Sequence, residues 1–238
     1  MSNITLHKAD TRGEANHGWL HAKHTFSFAG YQNRERMHFG VIRVLNDDCI
    51  AGGMGFGMHP HDNMEIITIP LEGEIEHRDN MGNIGRIKRG DIQVMSAGTG
   101  VEHSEYNASK TDDLKLLQIW LFPNKHNVTP RYAQLTLNAG DNTNKFQQIL
   151  SPNADDEGVW IHQDAWFHLG KLDADVSINY DLKKEGNGIY IFVISGSVTV
   201  LTHVLQDRDG LGVWNEPNII ITTNSAAEVL IMDVPAYK

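Results

Sequence analysis

The sequence predicts an all-β protein built as a sandwich or barrel. Short segments rich in β-branched and aromatic residues recur along its 238 residues. Clusters of Gly, Asn and Asp punctuate them, and no stretch sustains the 3.6-residue apolar period of an amphipathic helix.

In order, strands are predicted at Phe39 to Leu45, Glu65 to Leu71, Gly90 to Met95, Leu114 to Phe122, Gly188 to Val200, Asn218 to Thr223 and Glu228 to Val234. Turn residues separate them at Asn46-Asp47-Asp48, Asn80-Met81-Gly82-Asn83, Lys88-Arg89-Gly90 and Asp207 to Gly212. The segment from Pro123 to Pro130 interrupts the pattern with two prolines and polar residues, so the chain is divided there into units 1–126 and 127–238. An internal echo supports two similar units. Leu71-Glu72-Gly73-Glu74-Ile75-Glu76 resembles Ile194-Ser195-Gly196-Ser197-Val198-Thr199, and each reads as strand, Gly turn, strand.

Composition excludes several classes. With 40% apolar and 21% charged residues the chain is too hydrophobic for disorder. Twenty Lys plus Arg against thirty Asp plus Glu give a net charge of −10, without a basic tract, which disfavours nucleic acid and anionic membranes. The first residues carry charges and no apolar run of signal-peptide or membrane-spanning length, so a cytoplasmic location is expected. The single cysteine, Cys49, closes no disulfide within the chain.

Histidine stands out. There are thirteen, ten of them within residues 1–126, and imidazole is both the commonest metal ligand and a proton carrier. The strongest local signal is His59-Pro60-His61, preceded by Gly53-Met-Gly-Phe-Gly and followed by Glu65. Proline forbids a helix, and in a strand residues two apart share a face, so His59 and His61 point at one cation. Some forty residues on, Gly90-Asp91 opens a strand that leads through Gly98-Thr99-Gly100 to His103-Ser104-Glu105, a second pair at i and i+2. Three neutral imidazoles and one carboxylate suit a divalent first-row metal. Glu105 is the preferred oxygen ligand. Glu65 has the parity of His59 and His61, so it is the alternative ligand or sits just behind the ligands. Cys49, His77, His126, His162, His168 and His203 have no partner at ligand spacing and are read as exposed or structural.

This pattern resembles the cupin superfamily, with a departure at Ser96-Ala97-Gly98 where many cupins have Pro-x-Gly. More specifically the chain is similar to the pirin family, in its bacterial quercetinase-like branch. The residues that carry the resemblance are Asn16-His-Gly-Trp-Leu20, His24-Thr-Phe-Ser-Phe28, His59-Pro-His61, Leu71-Glu-Gly73, Glu76-His77-Arg-Asp79, Met95-Ser-Ala-Gly98 and His103-Ser-Glu105. The aromatics of the second motif are read as core residues or as substrate contacts.

The resemblance implies a bicupin, two β-barrel (jelly-roll) domains in one chain. The first would hold one divalent transition metal through His59, His61, His103 and Glu105, and the second would hold none. Iron is the first expectation, with nickel, cobalt, manganese, zinc or copper as alternatives. Four protein ligands on an octahedral ion leave two open positions, as catalysis needs. The implied activity is that of a quercetin 2,3-dioxygenase (flavonol 2,4-dioxygenase): a flavonol such as quercetin binds through its 3-hydroxyl, Glu105 takes the proton, and O2 opens the heterocyclic ring with loss of CO. The alternative implied by the family is a metal-dependent, redox-sensing regulatory module that binds a protein partner without turnover.

Overall fold

Glu65–Glu72 is buried along all but its last residue, on both of its faces. A strand of that kind needs apolar cover on two sides, and this requirement organises the molecule. The structure, a computed structural model, describes residues 3–138, 140 and 142–237. Met1, Ser2 and Lys238, at the ends of the two expected units, lie outside the described residues. Apart from one 3-10 turn at Ala9–Thr11, the regular structure of the described residues is strand. Among them no helix is long and apolar enough to cross a membrane.

The strands form two barrels, each made of a seven-stranded and a four-stranded sheet. In the first barrel the larger sheet runs in the order Arg131–Thr136, Asp91–Ser96, Glu65–Glu72, Leu114–Leu121, Ile42–Ile50, Leu20–His24, Gly13–Asn16. The smaller runs Gly55–His61, Val101–Asn107, Glu74–Asp79, Ile84–Lys88. In the second barrel the larger sheet runs Asn3–His7, Gly210–Trp214, Gly188–Ser195, Ala227–Val234, Trp166–Leu172, Gln147–Ser151, Val159–Trp160. Its partner runs Ser177–Asp181, Asn218–Thr223, Val198–Val200, His203–Leu205. The two smaller sheets thus share one strand order.

The two large sheets pack back to back. Alternate residues of Glu65–Glu72, Leu114–Leu121 and Gly188–Ser195 point into the interface between the barrels, where Ile67, Ile69, Leu117 and Ile119 meet Phe167, Tyr190, Phe192 and Met232 in one cluster. The intervening residues face each barrel's own interior. Ile189, Ile191 and Val193 pack with Val198, Ile219 and Ile221 in the second barrel. Leu114 and Leu116 pack with Ile75 and Ile87 in the first.

The division at 126/127 follows the chain but not the sheets. Arg131–Thr136, from beyond it, pairs antiparallel with Asp91–Ser96 of the first barrel. Asn3–His7 pairs antiparallel with Gly210–Trp214 of the second. Each barrel therefore takes one outer strand from the other half of the chain.

The internal echo at Gly73 and Gly196 marks where the chain leaves a large sheet for a small one. Both glycines adopt positive φ, 81° and 87°, which side chains other than glycine resist. At Gly196 an added Cβ would also lie 2.1 Å from the Ala226 carbonyl oxygen. The predicted strand Gly188 to Val200 is accordingly two strands, Gly188–Ser195 and Val198–Val200. A second correction concerns Asn46-Asp47-Asp48, read above as a turn. These residues lie inside the strand Ile42–Ile50, because their polar side chains have uses on both faces of the sheet.

Candidate metal centre

The small sheet of the first barrel assembles the histidines. His59 and His61 lie on Gly55–His61, whose neighbour Val101–Asn107 places His103 directly opposite His59. On the other side of Val101–Asn107, Glu74–Asp79 places Asp79 opposite His103 and His77 opposite Glu105. Residues opposite one another share a face. One row across the sheet is therefore His59, His103, Asp79, and the next is Phe56, Glu105, His77. Phe56 enters the second row because a register shift between His103 and Glu105 inserts an extra residue into Gly55–His61.

The ligand atoms of His59, His61 and His103 lie within 4.8 Å of one another. Their ring centroids are 4.4 Å apart for His59 and His103, 4.8 Å for His59 and His61, and 4.9 Å for His61 and His103. His103 is 1% exposed, and its Nε2 is buried without a hydrogen-bond partner. Burial, reinforced by the neighbouring imidazoles of His59, His61 and His77, pushes His103 down to about 2. His61 falls to about 4 by burial and by His59. Neutral imidazoles with bare nitrogens are what a cation requires.

A hydrogen-bond chain sets the tautomer of His103. Burial raises the Asp79 carboxyl, but hydrogen bonds from Asn83 and His77 outweigh it and hold Asp79 below the usual carboxylate range. Burial also keeps His77 neutral. His77 Nε2 therefore donates to Asp79 Oδ2 at 3.3 Å, which leaves His77 Nδ1 as an acceptor. Gln93 Nε2 at 3.3 Å and His103 Nδ1 at 3.4 Å share its single lone pair. With its proton on Nδ1, His103 presents a bare Nε2. His59 reaches the same state by donating Nδ1 to the Gly57 carbonyl at 2.8 Å.

Glu105 belongs to a second ligand-capable group, with His77 and His103, whose atoms also lie within 4.8 Å of one another. Gln118 Nε2 donates to its Oε2 at 3.1 Å, and Thr68 Oγ1 to its Oε1 at 3.4 Å. Burial pushes its carboxyl up to about 7 against these two hydrogen bonds. His103 belongs to both groups, and His59, His61, His103 and Glu105 all line one pocket.

Other sequence readings are corrected. Glu65 does not share the face of His59 and His61. The chain reverses at Asn63, at φ 43°, and passes into the other sheet, where Glu65 Oε2 accepts Ser96 Oγ at 2.7 Å. His77, read as lacking a partner, is buried beside His103. His24-Thr-Phe-Ser-Phe28 serves both readings, since Phe26 lies in the core while His24 and Phe28 line the pocket.

The pocket has a volume of about 260 Å³ and opens over His59, His61, His103 and Glu105. Its walls are mainly apolar, with Leu20, Phe28, Phe56, Ile66 and Trp120. Trp120 meets His61 edge-on at 4.9 Å and Phe28 at 5.4 Å. His24, Asn46, Asp48 and Gln118 add polar groups to the lining, and of these Asn46, Asp48 and Gln118 were not singled out as site residues by the sequence. In the second barrel the equivalent strands pair Ile178 with Ile221 and Tyr180 with Ile219.

Comparison with known proteins agrees with this architecture. The family model described as Pirin matches residues 6–121, and one described as quercetinase C-terminal cupin domain matches residues 148–234. A quercetin 2,3-dioxygenase of Escherichia coli (strain K12) is 45% identical over 98% of this chain and 99% of its own. A pirin-like protein of Caulobacter vibrioides is 41% identical over 94% of this chain and 96% of its own. The crystal structure of a bacterial pirin from Escherichia coli in complex with nickel(II) superposes with a TM-score of 0.93 at 43% identity, covering 98% of this chain and all of that one.

Proposed function

The chain belongs to the pirin family, with two cupin-type domains, and from that premise we propose that it is a metal-dependent dioxygenase of the quercetinase type. Its reaction opens the heterocyclic ring of a flavonol with O2 and releases CO. The observation that carries this reading is the buried, unpartnered Nε2 of His103, grouped with His59 and His61 in a pocket lined also by Phe28, Phe56 and Trp120. The relative named quercetin 2,3-dioxygenase, at 45% identity over almost its whole length, supports it.

The donor set fits a divalent first-row ion, which His59, His61, His103 and Glu105 would hold. Iron leads, with nickel, cobalt, manganese, zinc and copper behind it; the nickel-bound bacterial pirin supports an ion of this class. When bound, such an ion would supply Lewis acidity at the substrate's oxygens, and a redox-active one would also supply redox chemistry toward O2.

The protein's own residues do the rest. Asp79 and His77 hold the His103 ring in the ligating tautomer. Gln118 and Thr68 hold the Glu105 carboxylate, which takes the proton of the flavonol 3-hydroxyl. Phe28, Phe56 and Trp120 stack on or edge the flat substrate and exclude water from it.

The test is an aerobic assay with quercetin after metal analysis of protein purified without added metal and after loading with each candidate ion. The expected outcome is loss of quercetin absorbance with matching O2 uptake and CO release for at least one metal. No turnover with any of them would count against the reading.

A further inference from the structure

The pocket has a second polar region, on the strand Ile42–Ile50, and one of its members is unsatisfied. Asn46 accepts His24 Nδ1 at 2.9 Å. Asp47, on the opposite face of the strand, is answered by Arg12 and Arg208. Asp48 lines the pocket at 6% exposure, and its Oδ1 is buried with no hydrogen-bond partner. A buried carboxyl oxygen left unpaired in the folded protein is destabilising, and a ligand that supplies its partner would recover that cost.

Register says where that ligand would be read. Asn46 lies opposite Gln118, whose amide holds Glu105. Asp48 lies two residues further along the strand, about 7 Å away, which is close to the width of a substituted aromatic ring. Beside it stand Ala22, its cross-strand neighbour, and Leu20, both apolar and both in the lining.

We propose that Asp48 is a specificity-determining residue, whose carboxyl hydrogen-bonds an oxygen substituent of the bound aromatic substrate about one ring away from the metal-binding residues. The inference rests on the dioxygenase reading of this pocket and names the substrate class within it: flavonols hydroxylated on the rings beyond the 3-hydroxyketone. Burial, with Asp47 and Glu105 adding to it, pushes the Asp48 carboxyl up to about 8. It is therefore mostly protonated at neutral pH, and it both donates and accepts.

The experiment compares quercetin with 3-hydroxyflavone, which keeps the 3-hydroxyketone and lacks the other hydroxyls. Binding is read anaerobically on the metal-loaded protein by quenching of tryptophan fluorescence; CO release is read separately in air. Wild-type protein should bind quercetin more tightly, and Asp48→Leu should shrink that preference about tenfold. Asp48→Asn, which keeps a donor and an acceptor, should retain most of it. Asp48→Leu should not melt below the wild type, because it removes a buried oxygen that has no partner. If Asp48→Leu does not fold, Asp48→Ala takes its place and the same ratio decides.

An unchanged preference in the apolar variant overturns the proposal. So does an equal loss of both ligands accompanied by a lowered melting temperature, which marks a purely structural role. An Asp48-dependent preference without CO release overturns the dioxygenase reading and leaves the proposal standing. CO release with a preference indifferent to Asp48 does the reverse, and failure to bind either compound overturns both.

Discussion

His77 shows how one side chain acts on a metal site through another. It touches no pocket space of its own, yet its bare Nδ1 faces His103 Nδ1 while its Nε2 is tied to Asp79. Tyr132 stacks on the ring at a centroid distance of 4.7 Å and keeps it in place. His77→Phe preserves the stack and removes the acceptor, so the His103 tautomer is no longer set. Metal affinity should fall about 10- to 100-fold, as for other residues that orient a metal ligand. Competition against a chelator measures this, and His77→Gln, which restores an acceptor, should recover part of the loss. An unchanged affinity in His77→Phe means the hydrogen-bond chain is idle. Nothing in sequence spacing marks His77, which stands 26 residues from His103 and meets it only through strand pairing.

At the scale of elements, the exchanged outer strands tie the two halves of the chain together. Asn3–His7 ends on His7, whose Nδ1 lies 2.8 Å from the Tyr190 hydroxyl and whose ring meets Phe26 edge-on at 5.6 Å. Burial, aided by Arg36, lowers His7 from 6.5 to about 4. Below pH 6.5 the unfolded chain takes up a proton that the folded chain resists. Stability is therefore lost as pH falls from about 6.5 to about 4, by up to about 3 kcal/mol, and is unaffected by this group above 6.5. Urea unfolding across that range should show a shallower loss for His7→Gln than for the wild type. His168, buried and lowered to about 3, leaves a residual slope. Equal slopes would remove His7 from the account. Which strands are legible in the sequence follows from the same elements. Glu65–Glu72, Leu114–Leu121 and Ala227–Val234 are covered on both faces and read as apolar runs. Glu74–Asp79, with sequence Glu-Ile-Glu-His-Arg-Asp, and Ile84–Lys88 have one face in water; the first is legible only through the echo around Gly73, and the short alternation of the second passes for loop.

For the whole molecule, the consequence is cooperativity. The large sheets share a single apolar cluster, and each barrel borrows a strand, so neither barrel keeps its cover if the other opens. Phe192, fully buried in that cluster, should cost about 3–5 kcal/mol when replaced by alanine, and both barrels should still unfold in one transition. Coincident denaturation curves from tryptophan fluorescence and far-ultraviolet circular dichroism would show this; two separated transitions would show independent barrels. The all-β class, the paired repeats around Gly73 and Gly196 and the spacing of His59, His61, His103 and Glu105 were all written locally in the chain. Strand periodicity, positive-φ glycines and i, i+2 pairs need only a few neighbouring residues to be recognised. Tertiary structure alone decided that Glu65 turns away, that His77 stands behind His103, that Asp48 lines the pocket instead of making a turn, and that the outer strands are exchanged. Those outcomes depend on which strands become neighbours and in what register, and pairing across dozens of residues is settled by burying both faces of the large sheets at once.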